Sequence, residues 1–514
     1  MKQLVVQHPW SLRAVVVAEL TAAAIALVLA AAGIGLWPAV GVGAALGVLA
    51  CVVTVRGLRI WQWAARVVVW VRHRQRRLDL GEFSDVQIDG TTMGVLIEEH
   101  TVVTMVSVWG KPYMPTLVKP QHTETPNTLP ITVIANEMHQ AGLGVDVDVI
   151  CEGSRTSSDS YAGVYSSFLA NRGAVGQRST TLVVRLDTRA PDTTAGLLWR
   201  SNTVTAAAAA TARIVKALRQ ANCRATILTA GQMREAAAAS VGGPEVAAAT
   251  YDDQWSSLHQ PGHGYATGYY FTGGDITPSA LENVWSYPTE HTTLVVALRR
   301  SASGVHASAA VWFTTVQPIT TTPAAVLNRF TGRQWDALTA TLPGRARLTG
   351  LPCVPVSSDL DNAVAVGPSG ILVGGVRDGM VLMPLSDPAQ PTRVTLNVES
   401  DVLVRQLIRR AAATGEQVAV YDRTGRWEMS AASSRIWTTR DLGSQPPRPP
   451  TMVVHNGQTN PYPGAWISVA VGATSSYDPD VTIEQFGDEI RLSTKRFSAV
   501  LEPVSIRNEQ PYLN

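Results

Sequence analysis

From Leu20 to Val55 the chain runs thirty-six residues without a charged side chain, and a dense arginine cluster follows at once. Roughly 20 apolar residues suffice for a helix to cross a bilayer, where every backbone polar group must be satisfied within the segment. The run is long enough for two crossings. Gly33, Gly35, Trp37 and Pro38 interrupt it near the middle, where glycine and proline favour a tight turn and a tryptophan suits a membrane–water interface. The pattern predicts a transmembrane hairpin over residues 1–57, with antiparallel spans at about 14–36 and 39–55.

The flanking charges give an orientation. Lys2 and Arg13 precede the first span, Arg56, Arg59, Arg66, Arg72, Arg74, Arg76 and Arg77 follow the second, and the turn carries none. Positive charge stays on the cytoplasmic side, so a multi-pass inner-membrane protein with a cytosolic N-terminus and a large cytosolic C-terminal domain is expected. A cleaved signal peptide fits poorly, because the apolar run is too long and a second span follows directly. Glu19 has two readings: a cytosolic interface position, or a contact with a partner helix inside the membrane.

Net charge is +2, but residues 1–77 hold nine cations against Glu19 alone, or +8, so the remainder carries about −6. That acidic body has no basic face for nucleic acid, and none is expected as a partner. The arginines beside the membrane suit anionic lipid headgroups instead. Cys51, Cys151, Cys223 and Cys353 are scattered singly and form no C-x-x-C pair, which points to ordinary buried thiols.

Residues 58–80 read as a basic juxtamembrane helix. Apolar residues nearly encircle Leu58–Val71, with Trp61, Trp63 and Trp70 among them. Such a helix must lie in the interface, be wrapped by another subunit, or pack on the chain's own domain.

Residues 81–440 read as an α/β domain, with a split into two subdomains near 251–290. Strands are expected at Gly144–Cys151, Thr180–Asp187 and Arg224–Thr229, alternating with helices at Tyr161–Ala170 and Thr203–Ala221, the latter capped by Asn202. That order favours an at least partly parallel sheet. Thr292–Arg299 and Val305–Thr315 form a hairpin, and Pro323–Leu342 reads as a helix. Val402–Ala413 is a helix between strands Thr392–Val398 and Gln417–Tyr421. Residues 441–514 read as a Pro-rich linker and a small β appendage.

Signals for chemistry are weak. Asp146-x-Asp148 has the form of paired carboxylates holding Mg²⁺ or Mn²⁺ on a nucleotide-sugar diphosphate, but both fall on one face of an alternating strand, as solvated positions do. His259 and His263 have ligand-like spacing within a glycine-rich loop. There is no G-x-x-x-x-G-K-[ST] and no G-x-S-x-G elbow; Gly367, Gly370, Gly374 and Gly375 read as turn glycines. On the helix from Asp401, Arg405, Arg409 and Arg410 turn away from Val402, Leu403, Leu407 and Ile408. They either lie on an ordinary solvated face or meet an acidic partner surface. No catalytic, cofactor or metal residues are assigned, and the chain does not read as an enzyme.

Several stretches, in order, carry a family resemblance: the N-terminal hairpin, then Val149-Ile150-Cys151-Glu152-Gly153-Ser154-Arg155, a tyrosine-bearing helix near Tyr161, and Thr180-Thr181-Leu182-Val183-Val184-Arg185-Leu186-Asp187. The alanine-rich helix ending Ala-Arg-Ile-Val-Lys-Ala-Leu follows, and much later Arg405-Gln406-Leu407-Ile408-Arg409-Arg410-Ala411-Ala412-Ala413-Thr414-Gly415-Glu416. Over roughly residues 10–440 this order resembles EccE, the accessory membrane subunit of mycobacterial type VII (ESX) secretion systems. The resemblance implies a two-helix transmembrane hairpin plus a mixed α/β cytosolic domain. It also implies a non-catalytic role, no cofactor, and assembly with EccB, EccC and EccD, of which EccC is the ATPase. Glu19, Trp61, Trp63, Trp70, Arg405, Arg409 and Arg410 are the candidate partner contacts. A likeness of the family's cytosolic domain to glycosyltransferase-like folds leaves a membrane-tethered, metal-dependent transferase as the alternative.

Overall fold

A computed structural model describes residues 12–514, apart from positions 53, 56, 57, 73, 89, 201, 345, 349, 458 and 473–477. Arg56 lies outside the described residues, and so do the side chains of Arg13, Arg59 and Trp61. The chain divides into two compact units. The first comprises residues 1–76, 251–258 and 331–334, and the second holds the rest.

The first unit overturns the transmembrane hairpin. Its charge-free run forms helix α1 (Leu12–Ala31, 20 residues) and helix α2 (Leu36–Val52, 17 residues). Among the described residues no helix is long and apolar enough to cross a membrane. The turn and the charges divide the run too finely. Gly33 adopts φ +87°, ending the first helix, and α1 contains Arg13 and Glu19, so its charge-free part is only Leu20–Ala31. Helix α2 reaches about 25 Å at 1.5 Å per residue, short of a hydrocarbon core of roughly 30 Å. The expected multi-pass inner-membrane placement rested on these spans and is corrected with them.

The two helices pack closely because α2 presents glycine to α1. A Cβ on Gly43 would lie 2.5 Å from the Ala22 carbonyl oxygen, and one on Gly47 2.6 Å from that of Ala18. Gly47→Leu is therefore expected to separate α1 from α2 and raise protease sensitivity at residues 32–35. Gly41→Leu is the control, since nothing lies within 4 Å of a Cβ there. Equal sensitivity of the two variants would contradict this packing account.

Helix α3 (Ile60–Arg72) belongs to the same unit. Trp63 and Trp70 converge on Trp255, at centroid distances of 6.0 and 5.5 Å, and Trp70 Nε1 donates to the Asp253 carbonyl at 2.6 Å.

In the second unit, the longer strands of the first sheet, together with one short strand, are β1 (Phe83–Ile88), β2 (Thr91–Glu98), β3 (Thr101–Trp109), β4 (Asp146–Ser154), β5 (Gln177–Asp187), β6 (Arg224–Ile227), β7 (Gly264–Phe271), β8 (His291–Ser301) and β9 (Gly304–Thr315). Their order is β7-β9-β8-β4-β5-β3-β2-β1, with β6 also pairing β3. Every one of these pairings is antiparallel, which corrects the expected partly parallel sheet. Alternation decides what each face buries. Val147, Val149 and Cys151 face the core under helix α5 (Thr203–Gln220), whereas Ile150 packs under helix α6 (Ala230–Ala239). Helix α4 (Ala162–Leu169) lies between β4 and β5 in sequence and buries Tyr165 and Leu169. Asn202 caps α5 by accepting from Val204 N at 2.8 Å.

Parallel pairing occurs in the second sheet of this unit. It comprises β10 (Thr392–Asn397), β11 (Val418–Tyr421), β12 (Ile436–Thr439), β13 (Met452–His455), β14 (Ile467–Val471), β15 (Val481–Phe486), β16 (Glu489–Thr494) and β17 (Ser498–Leu501), in the order β12-β11-β13-β14-β10-β15-β16-β17. The strands from β12 to β15 in that order pair in parallel, and β16 and β17 close the edge antiparallel. Helix α7 (Asp401–Ala413), capped by Ser400, connects β10 to β11 and packs Val404, Leu407, Ile408 and Ala411 on this sheet's core. Residues 452–501 are thus central strands as well as an edge.

Candidate functional site

Asp146 and Asp148 project from one face of β4, as alternation requires, but they are not solvated. Asp148 is buried and is held by Arg185 from β5 and Arg299 from β8. Arg185 also donates to the Leu342 and Gly344 carbonyls at 2.8 and 2.7 Å. Asp146 pairs with Arg300 at 3.3 Å and Arg347 at 2.5 Å, and Arg300 also meets Asp192. Burial pushes the Asp148 carboxyl up, but Arg299 and Arg185 outweigh it and hold it below the usual carboxylate range. The positions a divalent ion would need are filled by guanidinium groups. Among the described residues no group of three His, Cys, Asp or Glu side chains could hold a metal.

A second ionic cluster ties α7 to the last helix, α8 (Gln510–Leu513). Arg409 and Arg410 are buried rather than turned to solvent. Arg410 grips Glu509 through two bonds, Nε to Oε1 and Nη2 to Oε2, both 3.0 Å. Glu509, fully buried, also accepts from Tyr161 Oη at 2.6 Å and Gln406 Nε2 at 3.1 Å. Arg409 donates to the Tyr512 carbonyl at 2.9 Å. Arg405 is half-buried.

The third feature is a cleft of about 380 Å³ over the adjoining ends of β4, β5 and β8, with Trp109, Arg178 and Glu416 on its walls. Register sets Glu152 opposite Ser179 and Thr293, which puts Glu152, Ser179 and His291 on one face. Ser179 Oγ donates to Glu152 Oε1. Glu152 Oε2 stands 3.7 Å from His291 Nε2. Burial pushes the Glu152 carboxyl up to about 6 against the lowering effect of Ser179. Burial brings His291 down to about 4, partly offset by its hydrogen bond to the Ala239 carbonyl.

These shifts oppose each other in stability. From pH 4 to 6.5 the unfolded chain binds the His291 proton more readily, so stability climbs with pH. From pH 4.5 to 6 the folded chain keeps the Glu152 proton, so stability falls with pH. The histidine shift is the larger, and the pair nets about 1 kcal/mol in favour of neutral pH. Glu152→Gln removes the opposing part. The variant is expected to gain about 2 kcal/mol at pH 7 and to lose stability more steeply on acidification. Urea midpoints at pH 7 and pH 4.5 measure this, and a variant no more stable than the parent at pH 7 would refute it.

Residues 174–271, which contribute Arg178 and Ser179 to the cleft and Arg185 to the Asp148 cluster, match the model of the family described as "Putative type VII ESX secretion system translocon, EccE". The ESX-2 secretion system protein EccE2 of Mycobacterium tuberculosis is 27% identical over 495 residues, covering 93% of this chain and 88% of that protein. The chain thus resembles the EccE family. The ESX-1 protein EccE1 of Mycolicibacterium smegmatis is 25% identical over 75% of the chain and 77% of its own length. The ESX-5 protein EccE5 of Mycobacterium marinum is 25% identical over 60% and 79%.

The other sequence-picked residues are dispersed. Trp37 is exposed, and Glu19 is exposed on α1. Arg66 lies over the Trp63 ring at 5.6 Å and Arg74 over Trp70 at 4.8 Å. Arg76 pairs with Asp253 at 3.4 Å, Arg77 donates to Thr250 at 3.0 Å, and Arg72 ends α3, exposed. His259 stacks on Tyr265 at 4.7 Å. Sequence reasoning missed Glu152, His291 and Glu509. Glu152 and His291 sit near the ends of two strands predicted in nearly correct positions, so a guess at their pairing was the signal available.

Proposed function

We propose that this chain is a non-catalytic structural component of a type VII (ESX) secretion complex, bracing the assembly around EccB, EccC and EccD. The observation that carries the reading is the match to ESX-2 EccE2 along 93% of the chain. The chemistry of the ionic clusters agrees with it. The paired aspartates that a metal-dependent transferase would use are held by arginines, and Arg409 and Arg410 of α7 are held by Tyr512 and Glu509. Such clusters fix a rigid body suited to bracing.

Purification from native extracts through an N-terminal tag, native-gel sizing and mass spectrometry test the proposal. The tag is kept off the C-terminus because the Asn514 carbonyl accepts from Ser430 N at 2.8 Å. Co-migration with EccB, EccC and EccD in a very large species is expected. Recovery as a lone monomer would overturn the reading. Asp146→Asn is expected to assemble normally, whereas a metal-dependent transferase would lose its activity with that carboxylate.

A further inference from the structure

The cleft of about 380 Å³ is lined by Glu152 and His291, whose carboxylate and ring nitrogen approach each other to 3.7 Å. The His291 ring gives its hydrogen bond to the Ala239 carbonyl, so one nitrogen carries the proton. Among the described residues Nε2 has no hydrogen-bond partner, and it is buried, so by elimination it is the other nitrogen and presents a lone pair. That lone pair stands 3.7 Å from Glu152 Oε2, too far for a hydrogen bond. Ser179 satisfies only the other oxygen of Glu152. Among the described residues no cationic side chain offsets the burial of this carboxylate. Buried acceptors left in this state call for a donor.

We propose that this cleft binds an organic cation, an alkylammonium or guanidinium group, seated in the cleft against Glu152 Oε2 and His291 Nε2. An ammonium has three donors and can satisfy both acceptors at once, and a guanidinium can span them with two N–H groups. Glu416 on the lining supplies a second carboxylate, and Trp109 an aromatic face of the kind that attracts cations. The arginines of the walls do not compete for the seat. Arg178 donates to the Gly367 carbonyl at 2.7 Å and lies over Trp285, and Arg224 pairs with Asp387 at 2.8 Å. Lys111 is exposed. A bare metal ion fits less well, since Glu152 and His291 offer two strong ligands in a space sized for a side chain.

The test is isothermal titration of the full chain at pH 7.5 with N-acetyl-arginine methylamide and with n-butylammonium. N-acetyl-glutamate methylamide, Mg²⁺ and Zn²⁺ serve as comparisons. Saturable binding of the cations, at least tenfold weaker in Glu152→Gln, with a shift of the His291 Cε1–H resonance on binding, is the expected result. Preference for the capped arginine assigns the site to a protein side chain, and preference for butylammonium assigns it to a free amine. Either supports the proposal. Glu152→Asp, which withdraws the carboxylate but keeps its charge, is expected to weaken binding as well, and serves should the Gln variant fail to fold. Tighter binding of either metal ion, binding of the glutamate probe, or equal affinity in parent and variants would overturn it.

Discussion

Glu509→Ala is expected to destabilise the second unit by about 3–5 kcal/mol, the range for leaving a buried charge without its partner. The carboxylate has no exposure, and its removal leaves Arg410, among the described residues, with the Val504 and Leu372 carbonyls at 2.6 and 3.3 Å. Tyr161 and Gln406 lose their acceptor at the same time. Against a total of roughly 5–15 kcal/mol for a typical domain, that loss is large. Replacing both partners, Arg410→Met with Glu509→Leu, is expected to recover most of it, because apolar packing substitutes well for a buried ion pair. Urea unfolding of the three variants is the measurement. A Glu509→Ala midpoint unchanged from the parent would remove the clamp from this account.

The second large effect is expected at Asp148. Asp148→Ala leaves Arg185 buried with only the Leu342 and Gly344 carbonyls, and frees Arg299 beside it. A loss of about 3–5 kcal/mol is again expected. This carboxyl also has a pH signature. Its folded pKa lies below the ordinary value of 3.8, so its stabilisation is complete above that value and is lost as pH falls through the depressed one. The parent should therefore lose more stability than Asp148→Ala below pH 4, and the two curves should converge. Parallel curves would contradict the assignment. The result also bears on the transferase alternative, since loss of activity in an Asp148 variant is expected from instability alone.

What the sequence made legible was local. Helix α7 and strands β10 and β11 fall within a residue or two of their expected bounds, because capping by Ser400 and apolar periodicity are written into neighbouring residues. The β8–β9 hairpin was readable for the same reason. Strand direction was not, since alternation looks the same in parallel and antiparallel ladders, and three of the parallel strands, β13, β14 and β15, lay in the stretch read as a linker and appendage. The helix expected over Pro323–Leu342 is instead a strand at Leu327–Arg329 and a short helix at Gln334–Thr339. Gly332 between them takes φ +69°, a conformation that ends a helix. The arginines of α7 misled for another reason. A pattern argument counts charge as surface, and nothing near residue 410 reveals a carboxylate 99 positions away. The candidate cleft was hidden likewise: Glu152 and His291 meet only through the register of β4 with β8.

The Arg410–Glu509 pair also sets a clock on biosynthesis. A ribosome adds roughly 5–20 residues per second, so about 5–20 s separates synthesis of the guanidinium from synthesis of the carboxylate that neutralises it, 99 residues later. Through that interval the nascent second unit holds a cation at a position destined for its interior, without the carboxylate that pairs with it. A chaperone that shelters the stretch from β10 to β17 would act in that window.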